Sequence, residues 1–181
     1  MKSNCLTEAA DCKFTSLLCT ILFATMIINA YSQSTKPNFR VIISTVSVSS
    51  EGEVTAKDSF EVGEAVQIKV EITNLSDKRI NVPKGLGFSR PRLFRDGELV
   101  PYREEIGKQF DKHEGGRISG MLFPKPNESQ SEIIDLSDFY EVLKPGQYQL
   151  SLERRFFKVD DSPINIQSNA VTFKIVLCGT K

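Results

Sequence analysis

The stretch "AVQIKVEITNLSDK", residues 65 to 78, limits the fold more than any other. Val66, Ile68, Val70 and Ile72 alternate with Gln67, Lys69, Glu71 and Thr73. A period of two puts the apolar side chains on one face and the polar ones on the other. That is an antiparallel strand with one face buried and one solvated. Asn74-Leu-Ser-Asp ends it, because short polar side chains bond their own backbone in turns.

The rest of the chain repeats this grammar. "NFRVIISTVSVSS" is rich in β-branched residues, and Val46 and Val48 alternate with serines. "EGEVTAKDSFEVGE" reads as a turn, a short strand and a turn at Gly63. "KRINVP" is a short strand stopped by Pro83. "RLFRDGELVPY" is a hairpin around Asp96-Gly97, the pair a type I′ turn prefers. "SEIIDLSDFYEVL" carries a strand and a short helical turn. "GQYQLSLERRFF" alternates Tyr148, Leu150 and Leu152 with Gln147, Gln149 and Ser151. "SNAVTFKIVLC" alternates Val171, Phe173 and Ile175 with Thr172, Lys174 and Val176. Seven to eight strands with no long amphipathic helix predict an all-β, antiparallel sandwich over 37–178. Residues 103–130, rich in charge, Gly and Pro, read as one long loop that hides a strand at "RISGMLF".

The first 32 residues differ. Lys13 precedes "FTSLLCTILFATMIINA", an apolar run of signal-peptide length. Ala30 and Ser32 fit a small-x-small cleavage site, so cleavage after Ser32 is expected, with Ala30 as the alternative. An uncleaved membrane anchor is the competing reading; Thr20, Thr25 and Asn29 interrupt the run and argue against it. Bulky Leu18 argues against a lipid anchor on Cys19. The segment implies an exported protein, periplasmic or extracellular, with no further membrane contact. The formal net charge is zero, which gives no field for nucleic acid.

Few residues beyond 32 suit catalysis. His113 and Cys178 are the single histidine and cysteine there. Neither adjoins a partner that would make a nucleophile–base relay, and no G-x-S-x-G or H-E-x-x-H occurs. Cys178 cannot form an internal disulfide and reads as a tolerated thiol at a strand end. Asp135, Asp138, Glu141, Asp160 and Asp161 are acidic enough for calcium or glycoside chemistry, but solvated turn residues explain them better. Arg90, Arg92 and Arg95 read as a solvated sheet face. Two N-x-[ST] matches, at Asn74 and Asn127, are read as chance. No cofactor and no metal are expected.

Several segments together carry a resemblance: "EVGEAVQIKVEITNLSDKRINV", "RDGELVP", "IIDLSDFYEVLKPGQYQLSLERR" and "SNAVTFKIV". They resemble bacterial exported immunoglobulin-like domains over about 60–102 and 131–176. They are similar in part to the β-sandwich that precedes some aspzincin-type metalloproteases, and faintly to the intracellular proteinase inhibitor fold. The resemblance implies a scaffold more than an activity. In such sandwiches a tyrosine near the start of strand F bonds back to upstream backbone. Tyr148 holds that place, Pro145 and Gly146 make a type II-like turn before it, and Leu150 fills the core position beyond. Tyr148 is thus read as structural. The expected function is a non-catalytic interaction module for a protein or polysaccharide. A β-sandwich protease inhibitor and a carboxylate-dependent hydrolase are the alternatives.

Overall fold

In the computed structural model the alternation of residues 66–72 becomes a strand between two others. The structure describes residues 38–111, 118–157 and 163–178, so the 1–32 segment, His113, Asp160 and Asp161 lie outside the described residues. Twelve strands occur among the described residues: β1 (Phe39–Val48), β2 (Val54–Ala56), β3 (Ser59–Glu61), β4 (Gln67–Asn74), β5 (Val82–Lys84), β6 (Ser89–Arg95), β7 (Glu98–Leu99), β8 (Gly120–Leu122), β9 (Ser129–Asp135), β10 (Gly146–Phe157), β11 (Pro163–Gln167) and β12 (Val171–Val176). A helix, α1, spans Glu104–Asp111. The surplus over seven or eight comes from β2, β3, β5, β7 and β8, which have two or three residues each.

Two main sheets face each other. One has the order β2-β1-β4-β9, the other β3-β12-β10-β6-β7, with β11 also on β10, and β5 and β8 make a separate pair. The chain leaves β1 and β2 in the first sheet and enters the second as β3, which runs parallel to β12. Among the described strand pairs this parallel one is the single departure from the antiparallel expectation. β10 and β12 pair in the second sheet, and β10 also pairs with β6, which turns into β7. The strand order is that of an immunoglobulin-like sandwich, with β10 in the place of strand F.

The core lies between the sheets. Ile68, Val70 and Ile72 are fully buried, as their alternation requires. Across the gap Phe39 stacks on Phe156 with ring centroids 4.4 Å apart. Phe173 meets Phe60 edge-on and Tyr148 face-on. Asp96 and Gly97 have φ of 52° and 89°, the left-handed pair of a type I′ turn. Between β11 and β12, Asn169 does the work of a strand. Its Oδ1 accepts from the Ile43 amide at 2.8 Å and its Nδ2 donates to the Ile43 carbonyl at 3.1 Å, which ties β1 to the opposite sheet.

Two prolines sit inside strands. Pro83 does not stop β5 but lies within it. Ser119 donates to the Lys84 carbonyl, so Val82 and Lys84 face β8 and Pro83 faces away. Its missing N–H costs no ladder bond. Pro91 lies in β6 opposite Leu152. Val100 donates to the Leu93 carbonyl on the β7 side, and Pro91, two residues earlier, faces that same open edge. There its carbonyl accepts from the hydroxyls of Tyr102, at 2.6 Å, and Tyr140, at 2.5 Å.

The 103–130 region is no single loop. Ile106 and Phe110, four residues apart, bury one face of α1. Phe110 packs on Tyr102 and Phe139, and Tyr102 stacks on Tyr140. The helix thereby covers β6 where β7 has ended.

Candidate binding cleft

Among the described residues β9 ends its sheet, pairing with β4 alone. Leu136 donates to the Val66 carbonyl and Asn74 to the Glu128 carbonyl, so the even-numbered backbone groups of β9 turn toward β4. The odd ones, at Ser131 and Ile133, turn outward. No backbone bond among the described residues engages them on that side. A cleft of about 880 Å³ lies there. Glu132, Ile133 and Ile134 of β9 line it, with Lys84 at the end of β5, Leu86 after it, Ser89 at the start of β6, Phe139, and Ile118. Ile118, Ile133 and Leu86 are exposed apolar side chains.

A buried ion pair closes the inner side. Alternation along β9 points Glu132 inward, and alternation along β10 points Arg154 inward from the other sheet. Their Oε1 and Nη2 are 3.0 Å apart. Arg154 is 0% and Glu132 7% exposed. Arg154 also donates from Nη1 to Ser89 Oγ and from Nη2 to the Pro83 carbonyl at 2.5 Å. The pair is close but poorly aligned, so Glu132 Oε1 has no hydrogen-bond partner among the described residues. Burial pushes the Glu132 carboxyl above its ordinary range, against the pull of Arg154 and Lys84. It pushes the Arg154 guanidinium down, against the pull of Glu132. Both directions mean that lost solvation outweighs the mutual attraction.

Of the described residues singled out as site candidates from sequence, all but Asp138 fall outside the cleft. Tyr148 donates its hydroxyl to the Lys144 carbonyl at 2.7 Å and stacks on Phe173. It lines a separate hollow of about 300 Å³ with Arg95, Val142 and Leu143. Leu150 is fully buried between Leu93 and Val171. Gly146 opens β10 with φ of 152°, far from the +80° of a type II turn. It is already in the ladder opposite Ile175, and a Cβ there would come 3.0 Å from Arg95 Cγ and Asp96 Oδ2. Pro145 precedes it outside the strand. Tyr148→Phe is expected to cost about 1 kcal/mol, the usual net worth of one hydrogen bond. Urea denaturation measures it, and an unchanged midpoint would show the corner bond to be idle.

Among the described residues the candidate acidic side chains do not converge. Asp135 accepts from the Ser137 amide and caps the short turn that follows β9. Glu141 lies 3.6 Å from Arg103, and Asp138 lines the cleft. Alternation places Arg90 and Arg92 on one face of β6 and Arg95 on the other. Arg90 lies over the Phe110 ring and donates to its carbonyl. Cys178 is exposed, and the neighbouring Glu61 raises its thiol pKa, which disfavours the reactive thiolate. Among the described residues no group of acidic, His or Cys side chains is placed to hold a metal.

No family pattern and no curated protein matches this sequence. Among solved structures the chain is similar to the CARDB domain of the PF1109 protein from Pyrococcus furiosus, solved in complex with di-metal ions. The identity is 14% and the TM-score 0.39, over 78% of this chain and 94% of that one. It is also similar to β-glucosidase from Listeria innocua in complex with isofagomine, at 11% identity and TM-score 0.36. That match spans 76% of this chain but 16% of the glucosidase.

Proposed function

We propose that this protein is an exported, non-catalytic β-sandwich module that binds a partner at the cleft beside β9. The observation that carries the reading is the cleft itself, where a strand edge left open among the described residues meets exposed apolar side chains. Solvent-exposed edges of this kind are normally covered or charged. The chemistry around it favours binding over turnover. The Glu132 carboxylate is tied to Arg154, and Ser89 Oγ accepts from that same arginine, which cannot act as a base.

A photo-crosslinker at position 133 of the full chain, expressed in its native cells, is expected to yield one discrete adduct. The same group at exposed Ile42 on β1 is not. Equal labelling at both positions would overturn the site. Export is read separately: the secreted or periplasmic chain is expected to begin at Gln33. An intact Met1 start confined to the cytosol would overturn it.

A further inference from the structure

We infer that the cleft accepts an extended peptide, which adds to β9 as a new strand and presents a hydrogen-bond donor to the buried Glu132. The inference deepens the proposed function and rests on it. Ser131 and Ile133 offer an amide and a carbonyl each on the open side of β9. An added strand satisfies such groups in register and needs no other polar contacts for affinity. β9 has seven residues, so the ladder available is about 24 Å long at ~3.4 Å per residue.

The walls select what can enter. Lys84, Leu86 and Ile118 stand across from β9, and the volume of about 880 Å³ is that of a ligand site. A cleft of this volume suits one extended chain. In a two-fold pairing of β9 centred on Glu132, the two carboxylates would oppose each other, which is unfavourable. The side chains of Leu86, Ile118 and Ile133 offer contact to apolar residues of the incoming strand.

Glu132 supplies the specificity. Glu132 lines the cleft, its carboxylate can accept several hydrogen bonds, and Oε1, though 3.0 Å from Arg154 Nη2, is buried with no aligned hydrogen bond among the described residues. Arg154 has already spent donors on Ser89 and Pro83. A lysine, arginine, serine or threonine on the incoming strand would meet that need.

The test uses a displayed library of random heptapeptides, selected on the immobilised full-length chain. Enriched peptides are expected to alternate apolar residues around one position held by a donor side chain. Resynthesised with a fluorescent label, they should slow hydrogen exchange at the Ser131 and Ile133 amides. Ile133→Pro removes an outward N–H and no bond to β4, and should weaken binding at least tenfold. Methylating alternate backbone amides of the peptide should do the same without touching the protein. Peptides that bind Ile133→Pro equally, or that tolerate methylation of either amide set, would overturn strand addition. So would a library that yields nothing while a soluble oligosaccharide panel binds. The module reading is judged apart: an adduct still captured from position 133 in that case keeps the module and discards the strand.

Discussion

Arg154→Met is expected to lower stability by about 3–5 kcal/mol at pH 7, the usual cost of leaving a buried charge alone. Arg154 joins three elements from the middle of the second sheet: Ser89 at the start of β6, Pro83 in β5, and Glu132 in β9. Methionine fills much of the volume but leaves the Pro83 carbonyl without that donor and Glu132 without its counter-charge. Replacing both partners, Arg154→Met with Glu132→Leu, should cost clearly less than the arginine change alone. Two apolar groups impose no desolvation penalty. Urea titration of the two single variants and the double variant measures the coupling. A double variant as unstable as the sum of the singles would show that the pair is not coupled.

The same variant carries a pH signature. Burial already raises the Glu132 carboxyl in the native protein, against the pull of Arg154 and Lys84. A carboxyl raised on folding contributes stability in full below its unfolded value of about 4.3 and loses it as pH climbs through the folded value. Without Arg154 the folded value rises further, so the loss between pH 4 and pH 8 is larger than in the native chain. The cost of Arg154→Met should therefore grow with pH over that range. A cost that shrank as pH rose would mean that Glu132 is well solvated.

Much of the frame is legible in local pattern because burial on one face leaves a period-two signature. β10 and β12 follow it residue by residue, and β4 does so from Gln67 to Ile72, after which Thr73, expected on the solvated face, is buried. The Asp96-Gly97 turn was readable because positive φ at two successive residues demands such a pair. The cleft was legible only in fragments. Along "YQLSLERRFF" the inward parity that starts at Tyr148 reaches Arg154, so a charge on the apolar face was visible. Its partner Glu132 was not, because nothing local says which strand faces which across a sandwich. The Asn169 link to Ile43 spans 126 positions and leaves no local trace. Helix α1 is too short for a sustained period, though Ile106 and Phe110 at i, i+4 were its signal. Pro83 misled because a proline breaks a ladder only where its nitrogen faces a neighbour, and facing is a tertiary property.

Asn74→Ala is expected to cost about 2–4 kcal/mol, since each buried polar group left unpaired costs on the order of 1–3. Asn74 is fully buried at the end of β4. Its Nδ2 donates to the carbonyls of Lys78, at 2.7 Å, and Pro124, at 3.0 Å. Its Oδ1 accepts from the amide and the hydroxyl of Ser76. One amide therefore closes the turn after β4 and pins the segment leading into β9. The N-x-S match at this position follows from that turn: the serine two residues on is the asparagine's own hydrogen-bond partner. Asn74→Asp discriminates the roles of the two ends. An aspartate keeps the acceptor for Ser76 but sets a second oxygen against two carbonyls. It should be at least as costly as alanine at neutral pH and recover in acid, where a protonated carboxyl can donate to one of them. Denaturation of both variants at pH 4 and pH 7 separates the effects. An aspartate variant as stable as the native chain at pH 7 would mean that Lys78 and Pro124 do not depend on this side chain.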